Sequence, residues 1–179
     1  MATAEPWQFG EIPGPKKAVV LAKPEAADAL IKRAKRPVLV IGSLAAGVTV
    51  KDRQLIDYLI DLGKARGIPI VATGNANRAL TGRGYNEATI MTAMDAGQRL
   101  ADRNWKGLDG KGPYDLAIFA GLPYYMEWTI LSGLKHFAPH VRTLTLDNVY
   151  QPHASFSFPN LSFQDWAKAL NALIARRGD

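Results

Sequence analysis

A three-layer α/β sandwich with a mostly parallel sheet is the fold this sequence predicts, and three observations predict it. Residues 115–121 form an apolar run closed by a glycine. Helical spacing over Tyr124–Phe137 follows, and then a second strand-like run at 141–147 that ends on an acid. Val38, Leu39, Val40 and Ile41 put branched residues on consecutive positions, so both faces of that strand are covered. Four strand–helix units with short connections require right-handed crossovers, and therefore helices on both faces of the sheet. This is the grammar of a Rossmann-like domain, whose ligands sit beyond the carboxyl ends of the strands.

Residues 1–17 read as an extended arm. Pro6, Gly10, Pro13, Gly14 and Pro15 forbid a helix, whereas Trp7, Phe9 and Ile12 are apolar groups for which a free tail has no use. Such an arm packs either on its own domain or over a partner. Residues 18–179 are expected to be a single domain that opens with a short strand at 18–21. Pro24 suits a first helical turn, where its missing N–H would have been unpaired anyway. Ala27, Leu30, Ile31 and Ala34 give that helix its apolar stripe, and Pro37 stops it before a strand at 38–42. The next helix is expected over 51–66, with Leu55, Leu59 and Leu62 inward and Gly67 at its end. A strand at 68–73 tolerates Pro69 only because it lies near the start.

Residues 74–84 are too rich in glycine and asparagine for regular structure. A short helix is expected at 87–94 and a long loop at 98–113, holding Trp105, Leu108 and Asp109. After the strand at 141–147 comes a polar, aromatic-rich loop. Ser162 and Asp165 then have capping-box spacing, with Asp165 placed to reach back to the Ser162 N–H. Phe163, Trp166, Leu170 and Ile174 form the buried stripe expected for the last helix.

Composition excludes several classes. The chain has 179 residues, of which 47% are apolar, enough for one self-supporting core and too many for global disorder. It has no cysteine, which removes disulfides, thiolate nucleophiles and cysteine-held zinc or iron–sulfur centres. No run approaches the roughly 18 apolar residues of a membrane helix. The first fifteen residues lack the basic start and apolar core of a secretory signal, so a cytoplasmic location is expected and a membrane partner is not. The formal charge of +6 suggests nucleic acid, but its distribution does not. The densest basic run, 32–36, stands at a helix end, where cations suit the dipole, and no aromatic residues interleave with a basic stripe. No nucleic-acid partner is expected.

Residues 42–47, Gly-Ser-Leu-Ala-Ala-Gly, follow the first strong strand, where a dinucleotide fingerprint belongs. Leu44 replaces the middle glycine, the third is displaced to Gly47, and no Lys–Ser/Thr pair makes a Walker loop. The segment reads as a turn that joins strand to helix, although N–H groups at 49–53 could still hold an anion at the next helix start. Thr73, Gly74, Asn75, Asn77 and Arg78 cluster donors at a strand's carboxyl end, able to hold phosphate or carboxylate, to order a loop or to meet a partner. His136 and His140 straddle Pro139, and no Glu or Cys stands at ligand spacing, so no metal site is expected. Asp147 and His153 could pair as a base, but no serine occupies a nucleophile elbow, and no catalytic residue is assigned. Of Tyr124, Tyr125 and Trp128, with Tyr150, Phe156 and Phe158, part must be core, and the surplus either covers a flat cofactor ring or anchors an interface. The candidate cofactor set is therefore Gly42, Ser43, Thr73, Gly74, Asn75, Gly121 and Tyr124. The candidate interface set is Trp7, Phe9, Asn77, Arg78, Tyr124, Tyr150 and Phe156.

Six segments in fixed order carry a resemblance: IPGPKKA (12–18), IKRAKRPVLVIG (31–42), IPIVATGNA (68–76), WKGLDGKGPYDLAIFAG (105–121), LKHFAPHVRTLTLD (134–147) and PHASFSFPNL (152–161). Together they make the chain similar to the epsilon subunits of the archaeal acetyl-CoA decarbonylase/synthase (carbon monoxide dehydrogenase) complex. The resemblance implies a Rossmann-like domain of the DHS-like NAD/FAD-binding type, serving one-carbon metabolism and methanogenesis. It implies a non-catalytic subunit that binds and stabilises the alpha subunit, in a two-alpha two-epsilon assembly. The nickel–iron–sulfur and iron–sulfur clusters would belong to that partner, with no cofactor in this chain. The alternative it leaves open is an FAD- or nucleotide-binding module that assists electron transfer.

Overall fold

The computed structural model describes Gly14 and residues 16–175; the expected anchors Trp7 and Phe9 lie outside the described residues. In chain order the elements are β1 (Val19–Val20), α1 (Pro24–Arg33), β2 (Pro37–Ile41), a 3₁₀ turn (Ser43–Ala46), β3 (Thr49–Val50), β4 (Arg53–Gln54), α2 (Leu55–Arg66) and β5 (Ile70–Thr73). Then come α3 (Ala76–Thr81), β6 (Thr89–Met91), α4 (Ala93–Ala101), β7 (Leu116–Ala120), α5 (Tyr124–Phe137), β8 (Arg142–Thr145), β9 (Phe156–Ser157) and α6 (Phe163–Ala175).

Seven strands form one sheet in the order β1-β9-β8-β7-β2-β5-β6, and every neighbouring pair is parallel. From β2 the chain winds outward through β5 to β6, then returns to the other side of β2 and winds outward through β7, β8 and β9. This is the doubly wound order, with β1 added at one edge. The reversal falls between β2 and β7, which pair from Pro37↔Leu116 to Ile41↔Ala120. Alternate residues feed the two faces. Leu39, Ile41, Ile70, Ile118 and Leu144 point toward the α1, α2 and α6 layer, while Val38, Val40, Val71, Ala117 and Phe119 face α4 and α5. The α/β sandwich with a mostly parallel sheet is thus present, and β2, β7 and α5 lie where the sequence places them.

Several elements differ from expectation. The helix expected from residue 51 starts at Leu55, because 49–54 is an antiparallel hairpin whose turn holds Lys51 at φ 62°. Residues 74–84 are not irregular throughout: α3 forms because Ala76 and Leu80 are buried against the core. The segment 87–94 is not a helix. Thr89–Met91 pairs with β5 as an edge strand, and the Thr92 hydroxyl accepts from the Asp95 N–H to cap α4, which takes the first part of the expected loop. The remainder of that loop is clasped by Arg36, whose guanidinium bonds Asp109 (2.6 Å) and the Gly112 carbonyl (3.1 Å).

Pro37 does not stop α1, which ends at Arg33, but is the first residue of β2. At α6 the Ser162 hydroxyl accepts from the Asp165 N–H and donates to its carboxylate, so the cap runs through the hydroxyl and not the Ser162 N–H. Leu173, not Ile174, is fully buried on α6, and Phe163 is exposed. Across the layer, Arg66 of α2 pairs with Asp28 of α1 and donates to the Leu173 carbonyl of α6 at 2.8 and 3.3 Å. Both charged side chains are nearly buried, at 4% and 7% exposure.

Candidate functional site

The reversal between β2 and β7 is where a doubly wound sheet opens a crevice for a dinucleotide. Here the crevice is closed by the chain itself. The Gly42 N–H donates to the Ala120 carbonyl (2.8 Å), and the Leu44 N–H donates to the Gly121 carbonyl (2.9 Å). A Cβ on Gly42 would lie 2.1 Å from the Gly121 oxygen, and one on Gly121 would lie 2.7 Å from the Ala45 Cβ. Gly121 also adopts φ 74°, which a side chain would strain. The two glycines therefore serve backbone packing, with Ala45 wholly buried behind them. The anion cradle that 49–53 could have offered is not formed. The segment is a hairpin and not a helix start, and the first α2 N–H, on Leu55, already donates to the Val48 carbonyl.

The fold brings the other candidate residues to the same end of the sheet. A Cβ on Gly74 would lie 3.6 Å from that of Ser43. The buried Thr73 hydroxyl donates to the Ile41 carbonyl, tying β5 to β2. Asn75 precedes α3 and is exposed, as is Arg78, while Asn77 is half-buried. Tyr124, half-buried, opens α5 with its hydroxyl 3.5 Å from the Tyr150 carbonyl and its ring edge-on to Tyr125. Tyr150 lies in the core, and its hydroxyl donates to the Ala18 carbonyl (2.8 Å). Phe156 is half-buried in β9 and packs against the core.

Gly121 and Tyr124 of the candidate cofactor set also line a cavity beside the Gly42–Gly121 contact, and its buried acid Glu127 is what sequence reasoning missed. This cavity, of about 220 Å³, opens at the carboxyl ends of β7 and β8. Leu44, Leu55, Phe163 and Trp166 supply apolar wall, and Glu127, Asp147 and Gln151 supply polar groups. The Trp166 indole N–H is committed to the Leu146 carbonyl (2.7 Å), which fixes that wall. Asp147 accepts from the Gly121 N–H with both oxygens (2.9 and 3.0 Å). Glu127 is wholly buried in the first turn of α5, on the face it shares with Ile130, Leu131 and Leu134. Its one signal in the sequence was an acid on the inward face of an otherwise apolar helix. A broader depression of about 450 Å³, beside Arg33, Asp115 and Arg142, lies at the opposite ends of β7 and β8, away from these buried acids.

Burial raises both acids. It pushes Asp147 up to about 6 against the opposing pull of the Gly121 N–H, and it pushes Glu127 well above the carboxylate range, with the Asp147 charge adding to the effect. The shared proton therefore resides on Glu127. The Asp147–His153 pair that the sequence allows, and to which no catalytic role is assigned, does not form: Asp147 is turned to Gly121, and His153 sits edge-on against Trp128 at 4.5 Å. Burial holds that imidazole down at about 4, with Lys135 and His136 adding to the effect. Among the described residues, no three His, Cys, Asp or Glu side chains gather as a metal site.

These shifts set the pH dependence of stability. An acid raised on folding binds more protons folded than unfolded. The stabilisation from Glu127 and Asp147 is thus complete below about pH 4 and is lost as pH rises through 6 and beyond. His153, lowered on folding, has the opposite sign: its contribution is complete above the usual imidazole value near 6.5 and is lost on acidification toward 4. Glu127→Gln is expected to remove the part of the loss that continues above pH 6, and to leave both the Asp147 part near pH 6 and the His153 rise between pH 4 and 6.5. Urea unfolding from pH 4 to well above pH 6 checks this; a variant curve parallel to the parent's above pH 6 would refute it.

Comparison with known proteins places this geometry in a family. Residues 1–174 match the family model described as CO dehydrogenase beta subunit/acetyl-CoA synthase epsilon subunit. The acetyl-CoA decarbonylase/synthase complex subunit epsilon of Methanothermobacter thermautotrophicus is 38% identical, covering 95% of this chain and 94% of that protein. The subunit epsilon 1 of Archaeoglobus fulgidus is 40% identical over 89% of this chain and 84% of its own length. That of Methanothrix soehngenii is 35% identical over 95% and 89%. A match that spans residues 1–174, the closed crevice and the acid-bearing helix included, means that this chain belongs to the CO dehydrogenase beta subunit/acetyl-CoA synthase epsilon subunit family.

Proposed function

We propose that the chain is a non-catalytic epsilon subunit that binds and stabilises the alpha subunit, the carbon monoxide dehydrogenase component, of an acetyl-CoA decarbonylase/synthase complex. The observation that carries the reading is the closed crevice, since the place where this topology would seat a dinucleotide is taken by Gly42, Gly121 and Ala45. The chemistry would then belong to nickel–iron–sulfur and iron–sulfur clusters of the partner, in a two-alpha two-epsilon unit. Exposed apolar groups support a protein partner: Tyr125, Met126 and Phe137 on α5 and Met94 on α4 stand at 42–78% exposure. Tyr124, Phe156, Asn77 and Arg78 remain candidate contacts, as do Trp7 and Phe9 of the arm. Tyr150 contributes by fixing the loop beneath Tyr124.

The alternative is a domain of the DHS-like NAD/FAD-binding type that holds FAD or a nucleotide to assist electron transfer, using Gly42, Ser43, Thr73, Gly74, Asn75, Gly121 and Tyr124. The residues at the crevice do not fit it, because the backbone approach that a pyrophosphate needs is spent on loop-to-loop contact. Titration calorimetry of FAD and NAD into the chain decides between the two. Binding no tighter than roughly tens of micromolar is expected without the pyrophosphate-cradling glycines, together with co-purification of the chain and the large subunit. Sub-micromolar FAD binding by the isolated chain would reverse the choice.

A further inference from the structure

We propose that the trough at the amino end of the sheet receives an acidic segment of the alpha subunit, a stretch of chain whose carboxylates pair with Lys16, Arg33 and Arg142. The inference rests on the accessory-subunit reading and names a surface through which that subunit is met.

Two depressions make the trough. The one of about 450 Å³ is walled by Arg33 at the end of α1, by Asp115 just before β7, and by Arg142, the first residue of β8. The other, about 430 Å³, lies against Lys16, Lys17 and Lys135. Pro139 and Arg142 line both, so the two are continuous across the start of β8. Lys16, Arg33 and Arg142 are far apart in the chain. They come to one end of the molecule because the sheet order β1-β9-β8-β7-β2 sets the starts of their elements side by side.

Charge in the trough is not balanced. The Lys16, Arg33 and Arg142 side chains are exposed, and none has a carboxylate partner among the described residues. Among the described residues that line the trough, Asp115 is the only acid. Its two oxygens are already taken by the Lys35 and Arg36 N–H groups, at 2.8 Å each. Burial holds the Lys135 ammonium below the ordinary lysine value, and the Lys16 charge adds to the effect, so cation stands against cation here. A ligand with several negative charges relieves that repulsion, and the field of the trough steers its approach.

Three features select an acidic protein segment. Leu30, Ala34, Leu116 and Pro139 give the larger depression an apolar floor between its cations, which suits a chain that mixes apolar and acidic side chains and not a bare anion. Neither depression is lined by Phe, Tyr or Trp, the stacking platform that a single-stranded nucleic acid uses. A second copy of this chain is a poor donor of carboxylates, since Asp28, Asp57, Asp61, Asp95, Asp109 and Asp165 are each ion-paired within the chain.

The test uses the full-length chain with the large subunit, and the isolated chain with hexaglutamate as a probe and hexaglutamine as its neutral counterpart. Arg33→Glu and Arg142→Glu are each expected to weaken assembly about tenfold or more. Lys51→Glu, the same charge change on the hairpin at the other end of the sheet, is expected to weaken it less than about twofold. All three side chains are exposed, so the isolated variants should melt with the parent. At low ionic strength, hexaglutamate is expected to shift the Arg33 and Arg142 amide resonances of the parent, and hexaglutamine is not. Equal weakening by all three substitutions, or by none, overturns the proposal and leaves the accessory reading standing. No response to hexaglutamate also overturns it, and that measurement needs neither a variant nor the partner. A thymidine hexanucleotide that moves the same resonances at lower concentration than hexaglutamate would give the trough to nucleic acid and overturn it too. Failure of the parent itself to assemble overturns the accessory reading, and the alpha subunit's acidic segment with it.

Discussion

Gly42→Ala is expected to destabilise the chain by about 3 kcal/mol or more, at the upper end of what a small overpacking substitution costs. The added Cβ would sit 2.1 Å from the Gly121 oxygen and 2.3 Å from the Leu122 nitrogen. Both are backbone atoms, held by the hydrogen bonds that close β2 onto β7, so no side chain can rotate away to relieve the clash. For a chain of this size, such a loss lowers the melting temperature by roughly 6–12 °C. Gly47→Ala is the control. Its Cβ would meet nothing nearer than 3.8 Å, at an ordinary φ of −103°, and the melting temperature should scarcely move. Calorimetric melting of the two variants side by side measures the difference. Similar temperatures for both would mean that the Gly42 loop yields, and that the crevice is not held shut.

The second large effect belongs to the other layer. Asp28→Ala leaves the Arg66 guanidinium buried without its carboxylate, which typically costs about 3 kcal/mol or more. The bonds from Arg66 to the Leu173 carbonyl survive and place the expected loss near the lower end of that range. Combining Asp28→Ala with Arg66→Met should recover most of it, since a flexible apolar chain fills the space with no charge to strand. A double variant that is less stable in urea than Asp28→Ala alone would show that Arg66 matters for its hold on α6 and not for the ion pair.

The parts of the fold legible in the sequence are those whose signal is local and long. Branched residues on consecutive positions marked β2 and β7, and fourteen residues of helical spacing marked α5 between Tyr124 and Phe137. What escaped was short. Three residues of β6 and two of β9 are too few to show a period, and they exist because β5 and β8 offer a register to pair with. Helix α3 has a glycine and asparagine approach that argues against it, and burial of Ala76 and Leu80 overrides that propensity. The site divides the same way. Gly42, Ser43, Gly74 and Gly121 were recognisable as strand-end residues, but not that two of them pack on each other. Glu127 and Asp147 lie twenty positions apart, one in α5 and the other just past β8, and only the α5–β8 crossover makes them a pair.

The edges of the sheet limit how the chain can associate. One edge is β1, two residues long, and the other is β6, three residues long. Neither offers enough unpaired backbone to template a foreign strand, so growth of the sheet across a subunit boundary is blocked at both sides. Association must then be read through side chains, whose shapes and charges differ between partners, and not through main-chain groups, which are alike in every protein. An epsilon-type chain built this way can be selective about what it joins while resisting fibril-like stacking on its own copies.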